Sequence, residues 1–313
     1  MTYASNAPNS SRLSDYYLVL FAGVLIGYAF TGKGFAYLGF PPIYVGAIAL
    51  LTGGAIFLVT GYNIAALTTL PSLLLAMMMA WVLVRTLPFV GVYGVDALRD
   101  SVVIMYGGFA FIVTALLLED SRRLNIILRW YSAFLNVFIL VIPFVVAIDR
   151  YLGNYIPNLP GTNVHLLGLR SGEVAVPLTG ATLFALVGFY KMSPLRIVFV
   201  VATVVIISSD GRGAMLAFVI PVMFAALMLC KVRELVTVLV SGLVIFSAAY
   251  AVETRFTVYH EPDSSQERPL STRQILENVA SVVSQSGEQA EGTKVWRTDW
   301  WNIIIANTLF MAA

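Results

Sequence analysis

The chain reads as an all-α membrane protein, a polytopic helical bundle of about nine to ten transmembrane helices with one long extracytoplasmic loop. Three observations predict this. First, 59% of the 313 residues are apolar, only 12% are charged, and the mean hydropathy is +0.84, whereas soluble domains carry about 25% charged residues. Second, the apolar residues fall in runs that reach or approach the roughly 20 residues needed to cross hydrocarbon as a helix. Third, the polar residues gather between these runs, above all in one stretch after residue 252. Backbone groups in lipid must be hydrogen-bonded within their own segment, so the runs are helices and not open strands.

Residues 1–15 form a polar cytoplasmic tail with one basic residue, Arg12. The run after it has no convincing small-residue cleavage site, so it reads as a retained first helix. The predicted spans are 16–31, 43–60, 68–84, 102–118, 126–148, 174–190, 195–209, 213–230 and 235–252. With the N-terminus in the cytoplasm, the inner segments and adjoining helix ends hold Arg12, Arg122, Arg123, Arg129, Lys191, Arg196, Lys231 and Arg233. The outer loops then hold Lys33, Arg85, Arg99, Arg150, Arg170 and Arg212. The inner segments are shorter, so the density of basic charge is higher inside, as the positive-inside rule expects.

The loop 253–300 opens on a turn-rich stretch, Glu261-Pro262-Asp263-Ser264-Ser265. A capping pattern, Ser271-Thr272-Arg273-Gln274, precedes Ile275, Val279 and Val282 at helical spacing. This predicts an amphipathic helix over 271–285, on the membrane surface or across the mouth of the bundle. A solvated loop with one packed helix accounts for it as well. Residues 301–313 start a further apolar segment too short to cross a membrane. It either lies at the interface or belongs to a chain cut short at its C-terminus, and the second is expected. The net charge of +2 is too small to suggest nucleic acid, and Cys230, alone in the chain, excludes an internal disulfide.

Chemistry concentrates in three strings, all assigned to the outer side. The turn Ser208-Ser209-Asp210-Gly211-Arg212-Gly213-Ala214 joins two apolar segments. A fixed cation at a membrane edge is costly unless it holds an anion. Helix N–H groups starting at the same place point at the same spot. Gly211 and Gly213 permit positive φ and close backbone approach, and Asp210 suits an N-cap. Such a turn fits a phosphate or pyrophosphate; a plain hairpin whose arginine snorkels to lipid headgroups fits the same residues. The second string, Leu167 to Glu173, offers Arg170 as an anion contact with Glu173 as a nearby carboxylate, or an ordinary Arg/Glu pair at a helix start. The third, Gly292 to Trp301, sets three tryptophans around Arg297. They suit an interfacial belt, a sugar-stacking surface or a cation–π clamp.

Gly27 to Lys33 has the spacing of a phosphate-binding P-loop, but Gly34 replaces the Ser/Thr that would hold magnesium, and no strand precedes it. Nucleotide binding is rejected there. His165 and His260, the only histidines, lack local partners or metal-ligand spacing and read as surface residues. No acidic cluster suggests a metal.

Taken together, the three strings resemble the O-antigen ligase and O-antigen polymerase family of bacterial envelope proteins. A Ser-x-Arg-Gly-Ala-like turn is approximated by Ser209, Arg212, Gly213 and Ala214, with Asp210-Gly211 putting one residue more between serine and arginine. An Arg-x-x-Gly-like string is approximated by Arg170, Ser171 and Gly172, one residue tighter. An Arg-x-x-x-Trp pattern is matched by Arg297 and Trp301, and Trp296 to Ile305 is similar to exopolysaccharide polymerase members in particular. The resemblance covers residues 165–313; the earlier helices agree by hydropathy only.

The resemblance implies a protein of the bacterial inner membrane; no cofactor is expected. It implies a donor glycan on undecaprenyl pyrophosphate, an acceptor glycan or lipid, and glycosyl transfer between them in polysaccharide polymerisation or ligation. Bidentate arginine suits stabilisation of the departing diphosphate. Arg212 is the first candidate for that catalytic task, Arg170 the second and Arg297 the third. Gly211, Gly213, Glu173 and Trp301 are the candidate substrate-binding residues. Family members carry a functional histidine in a later helix. This chain stops before that point, and His260 does not occupy its place.

Three rivals stand beside this reading. A lipid-linked glycosyltransferase using an acidic residue in its first outer loop is disfavoured, since residues 32–42 contain no Asp or Glu. A transporter or flippase would show repeats and ionisable residues near mid-span; no clear repeat is visible, although Pro143, Pro177 and Pro221 allow broken helices. The third is an inactive remnant that still binds lipid diphosphate.

Overall fold

A computed structural model describes residues 8–40, 43–160, 162–210 and 212–256, together with 272, 275, 276 and 298–303. The chain forms two compact units, Met1–Arg170 and Ser171–Ala313. The first holds α1 (Pro8–Thr31), α2 (Lys33–Ala36), a two-stranded hairpin of β1 (Gly39–Phe40) and β2 (Ile43–Tyr44), α3 (Val45–Val59), α4 (Asn63–Leu67), α5 (Leu70–Tyr93), α6 (Val95–Met105), α7 (Gly108–Glu119) and α8 (Arg122–Leu152). The second holds α9 (Ser171–Val187), α10 (Pro194–Asp210), α11 (Arg212–Met228) and α12 (Val232–Phe256).

The chain is an all-α membrane protein. Among the described residues four stretches are long and apolar enough to cross a bilayer: Arg12–Thr31, Leu70–Tyr93, Arg122–Tyr155 and Val236–Glu253. Each of the other predicted spans overlaps an apolar helix of 10–17 residues. At 1.5 Å per residue the longest of these measures about 25 Å, short of a hydrocarbon core of about 30 Å.

Two boundaries differ from the sequence reading for physical reasons. The predicted span 68–84 continues to Tyr93, so Arg85 lies inside α5 and not in an outer loop. Pro88 removes one backbone donor, yet Leu87, Phe89, Val90 and Val92 keep the segment apolar and the helix runs on. The predicted span 102–118 breaks at Tyr106-Gly107 into α6 and α7. A Cβ on Gly107 would press within 2.9 Å of Leu75 and 3.0 Å of the Ile104 carbonyl, so the break packs closely.

In the first unit, α1, α3 and α7 enclose a core of Tyr17, Leu18, Ile56, Ile112 and Leu116. Tyr17 donates to the Ala49 carbonyl at 3.2 Å across a face that Gly53 keeps clear for its ring. Small residues let helices approach in this way where water supplies no drive to associate.

This unit has two chemically distinct ends. At one, Arg123 of α8 is 2% exposed and binds Asp15 of α1 and Glu119 of α7, each at 2.7 Å, and the Leu116 carbonyl at 2.8 Å. Ser14 completes it, donating to the same Glu119 oxygen at 2.8 Å. A buried guanidinium persists because each carboxylate and carbonyl replaces water it has lost. At the other end, α1 passes through Gly32, at φ 57°, into α2. There it meets the chain that leads to Arg170.

In the second unit, α9 buries Val174, Ala175, Leu178, Ala181 and Thr182, and α11 buries Ala214, Phe218, Val222 and Ala226. These stripes repeat every three to four residues, one face of a helix. Thr179 joins the two helices, donating to Ala175 of its own helix at 2.7 Å and to Ala217 of α11 at 3.2 Å. At the start of α10, the Arg196 guanidinium lies 5.4 Å over the ring of Tyr190, which precedes the helix.

Candidate functional site

The starts of α9 and α11 form the centre of the candidate site. Residues 188–193 connect α9 to α10, and residue 211 alone connects α10 to α11. The Thr179–Ala217 bond joins α9 to α11, eight residues after Ser171 and five after Arg212.

Arg212 is the first residue of α11, and Gly213 follows in the same turn. Ser171, Gly172 and Glu173 make the corresponding turn of α9. Each helix start leaves backbone N–H groups without intrahelical partners and carries the positive end of a macrodipole. Glu173 is placed where a carboxylate is favoured. A Cβ on Gly213 or on Gly172 would meet nothing within 4 Å. Chemically, the two starts offer backbone donors, one arginine position and open space beside glycine.

The sequence reading of the turn needs two corrections. Gly213 is helical and not at positive φ, so its smallness leaves access to the backbone and does not permit a special conformation. With α11 starting at Arg212, the cap position falls at residue 211, and Asp210 is instead the last residue of α10. Gly211 lies outside the described residues. Ser209 is fully buried and donates to the Ile206 carbonyl of its own helix at 2.6 Å, as Ser208 does to Val204. Both hydroxyls are thus tied to the backbone one turn earlier.

Arg170 is the last residue of the first unit and is exposed. Its approach is rigidly built. Residues 157–166 fold into a hairpin in which Asn158 pairs with His165, and Leu166 donates to the Pro157 carbonyl at 3.0 Å. His165 is exposed, with Nδ1 3.1 Å from the Ile156 carbonyl, a partner nine residues away that local sequence does not reveal. Leu169 then donates to Asp149 of α8 at 2.9 Å.

Trp300 and Trp301 are helical and exposed. Arg297, His260 and most of the predicted helix 271–285 lie outside the described residues. Thr272 is described, and both its N–H and its hydroxyl donate to Glu253 of α12, at 2.7 and 2.6 Å.

The glycines of the rejected P-loop string serve packing. A Cβ on Gly27 would strike the Phe35 ring, and one on Gly34 would overlap the Leu166 carbonyl. A cavity of about 620 Å³ lies between α5 and α6, lined by Trp81, Arg85, Phe89, Tyr93 and Ser101 among others. Sequence reasoning missed it because Arg85 reads as a loop residue when α5 is ended early. Among the described residues no three His, Cys, Asp or Glu side chains gather as a metal site would need. No family model matches the chain, and no curated protein or solved structure matches it either.

Proposed function

We propose that this protein is a membrane-embedded glycosyltransferase of the O-antigen ligase/polymerase type. It moves a glycan from undecaprenyl pyrophosphate to an acceptor glycan or lipid at the outer face of the bacterial inner membrane. The observation that carries the reading is the pair of helix starts, Arg212-Gly213 and Ser171-Gly172-Glu173, which open two helices joined by the Thr179–Ala217 bond, with open space over both glycines. Oriented backbone donors beside an arginine suit the charge that develops on a departing diphosphate. The substrate class comes from the resemblance of the three strings. In this reading the N-terminus is cytoplasmic, the shorter helices complete nine or ten spans, and Arg170 and Arg297 are the second and third candidates for the task given to Arg212.

The test is the chain-length profile of surface polysaccharide in a deletion strain complemented with wild-type or Arg212→Ala protein at equal membrane levels. Loss of one charged contact to a transition-state anion costs about 10²–10³ in rate, so polymer should vanish from the variant. Near-normal polymer would overturn the assignment.

One observation favours a second reading. Arg85 lies inside a candidate span, exposed at an open depression between α5 and α6 that Trp81, Phe89 and Tyr93 help to line, and ionisable residues within spans mark transport pathways. A flippase or transporter of an anionic substrate would lose flux on Arg85→Gln, whereas the glycosyltransferase would keep its product profile.

A further inference from the structure

Arg85 lies deeper within a candidate span than any other charged residue of the first unit, fifteen residues after Leu70 and eight before Tyr93. At 1.5 Å per residue, its backbone is about 12 Å from the Tyr93 end. A long arginine side chain recovers part of that distance by reaching toward the interface. A cation at this depth is costly unless an anion meets it.

The surroundings of Arg85 are built from one helical hairpin. Trp81, Arg85, Phe89 and Tyr93 follow one another at intervals of four and so form a row along α5. The chain reverses at Gly94, at φ 60°, and α6 returns beside the row, adding Ala97 and Ser101 to the same groove. The two hydroxyls there are committed: Thr86 donates to the Val82 carbonyl and Ser101 to the Leu98 carbonyl, each at 2.7 Å. Arg85 is exposed and, among the described residues, forms neither an ion pair nor a side-chain hydrogen bond. No carboxylate lines the groove among the described residues. Asp96 and Asp100 of α6 each precede a lining residue by one position, about 100° round that helix.

We propose that this groove holds an anionic phospholipid, its phosphate on Arg85 and an acyl chain along α5 past Trp81. None of α5 is buried, so in a bilayer the groove opens to lipid. Trp81 and Tyr93 each carry a polar group on an apolar ring, the pair of properties that suits the headgroup boundary. A guanidinium pairs well with a phosphate. A zwitterionic lipid would bring an ammonium that finds no carboxylate in the lining, which favours the anionic class. A lipid held in this way is neither a glycosyl donor nor a transported substrate.

The test is native mass spectrometry of the purified full chain in non-ionic detergent, titrated separately with phosphatidylglycerol, phosphatidylcholine and inorganic phosphate. Wild type should bind phosphatidylglycerol about tenfold more tightly than phosphatidylcholine. Arg85→Gln should weaken phosphatidylglycerol about tenfold, the worth of one charge-assisted contact, and phosphatidylcholine little. Arg85→Lys should stay within about threefold of wild type, since a point charge still binds phosphate. Arg129→Gln, at an exposed arginine of α8, should change nothing. Ala97→Leu fills the groove from α6 while keeping Arg85 and should also weaken phosphatidylglycerol. Thermal unfolding checks that each variant is folded. Wild-type affinity in Arg85→Gln or in Ala97→Leu, or an equal loss of both lipids, would overturn the proposal. Tighter binding in Asp96→Asn or Asp100→Asn would assign Arg85 to an internal carboxylate and overturn it too. Inorganic phosphate bound as tightly as phosphatidylglycerol would make the occupant a soluble anion and exclude the lipid.

Discussion

Arg123 and Lys33 sit at opposite ends of the first unit and differ in their partners. Arg123 is buried against two carboxylates and a carbonyl. Lys33 has no such partner among the described residues. Removing the guanidinium by Arg123→Met strands Glu119, which is 17% exposed, while Asp15, at 62%, returns to solvent. The expected loss is about 2–3 kcal/mol, read from denaturant unfolding in detergent. Adding Glu119→Gln to Arg123→Met should recover part of it, because the stranded charge is then gone; a double variant less stable than the single would contradict the picture. Local spacing exposes half of this network, since Glu119 and Arg123 stand four apart on the chain. The Asp15 partner, 108 residues away, is invisible to it. Lys33 was hidden differently: its neighbours Gly32 and Gly34 resemble a nucleotide loop, and their real role depends on residues 165–168.

At the scale of elements, hydropathy located every described long helix, because lipid allows few alternatives for an apolar run. It failed where polarity and helicity part company. Arg85 marks a loop by charge, yet α5 carries it onward past Pro88. The amphipathic α6, Val95–Met105, was merged into its neighbour. The candidate site was half legible: the strings named Arg212 and Glu173, but the packing of α9 on α11 through Thr179 and Ala217 shows only in the structure. Glycines at the two sites should separate structure from function. Gly34→Ala drives a methyl into backbone carbonyls and should lower the unfolding temperature, by an overpacking cost of about 1–3 kcal/mol. Gly213→Ala meets empty space in a helical turn and should leave stability unchanged or raise it by up to about 1 kcal/mol. The same variant should depress polymer formation, because the methyl fills the space where substrate approaches the helix start. Stable protein with full activity would remove Gly213 from the site.

For the whole molecule, the central claim is that the end bearing Arg212 faces outward and meets a lipid diphosphate. The chain offers a clean probe, because Cys230 is its one cysteine and is exposed. In a Cys230→Ser background, Gly213→Cys puts a thiol into open space one residue after Arg212. The decisive measurement is labelling of that thiol by a membrane-impermeant maleimide in intact spheroplasts. Rapid labelling from outside is the expected result. Labelling only after the membrane is opened would contradict it.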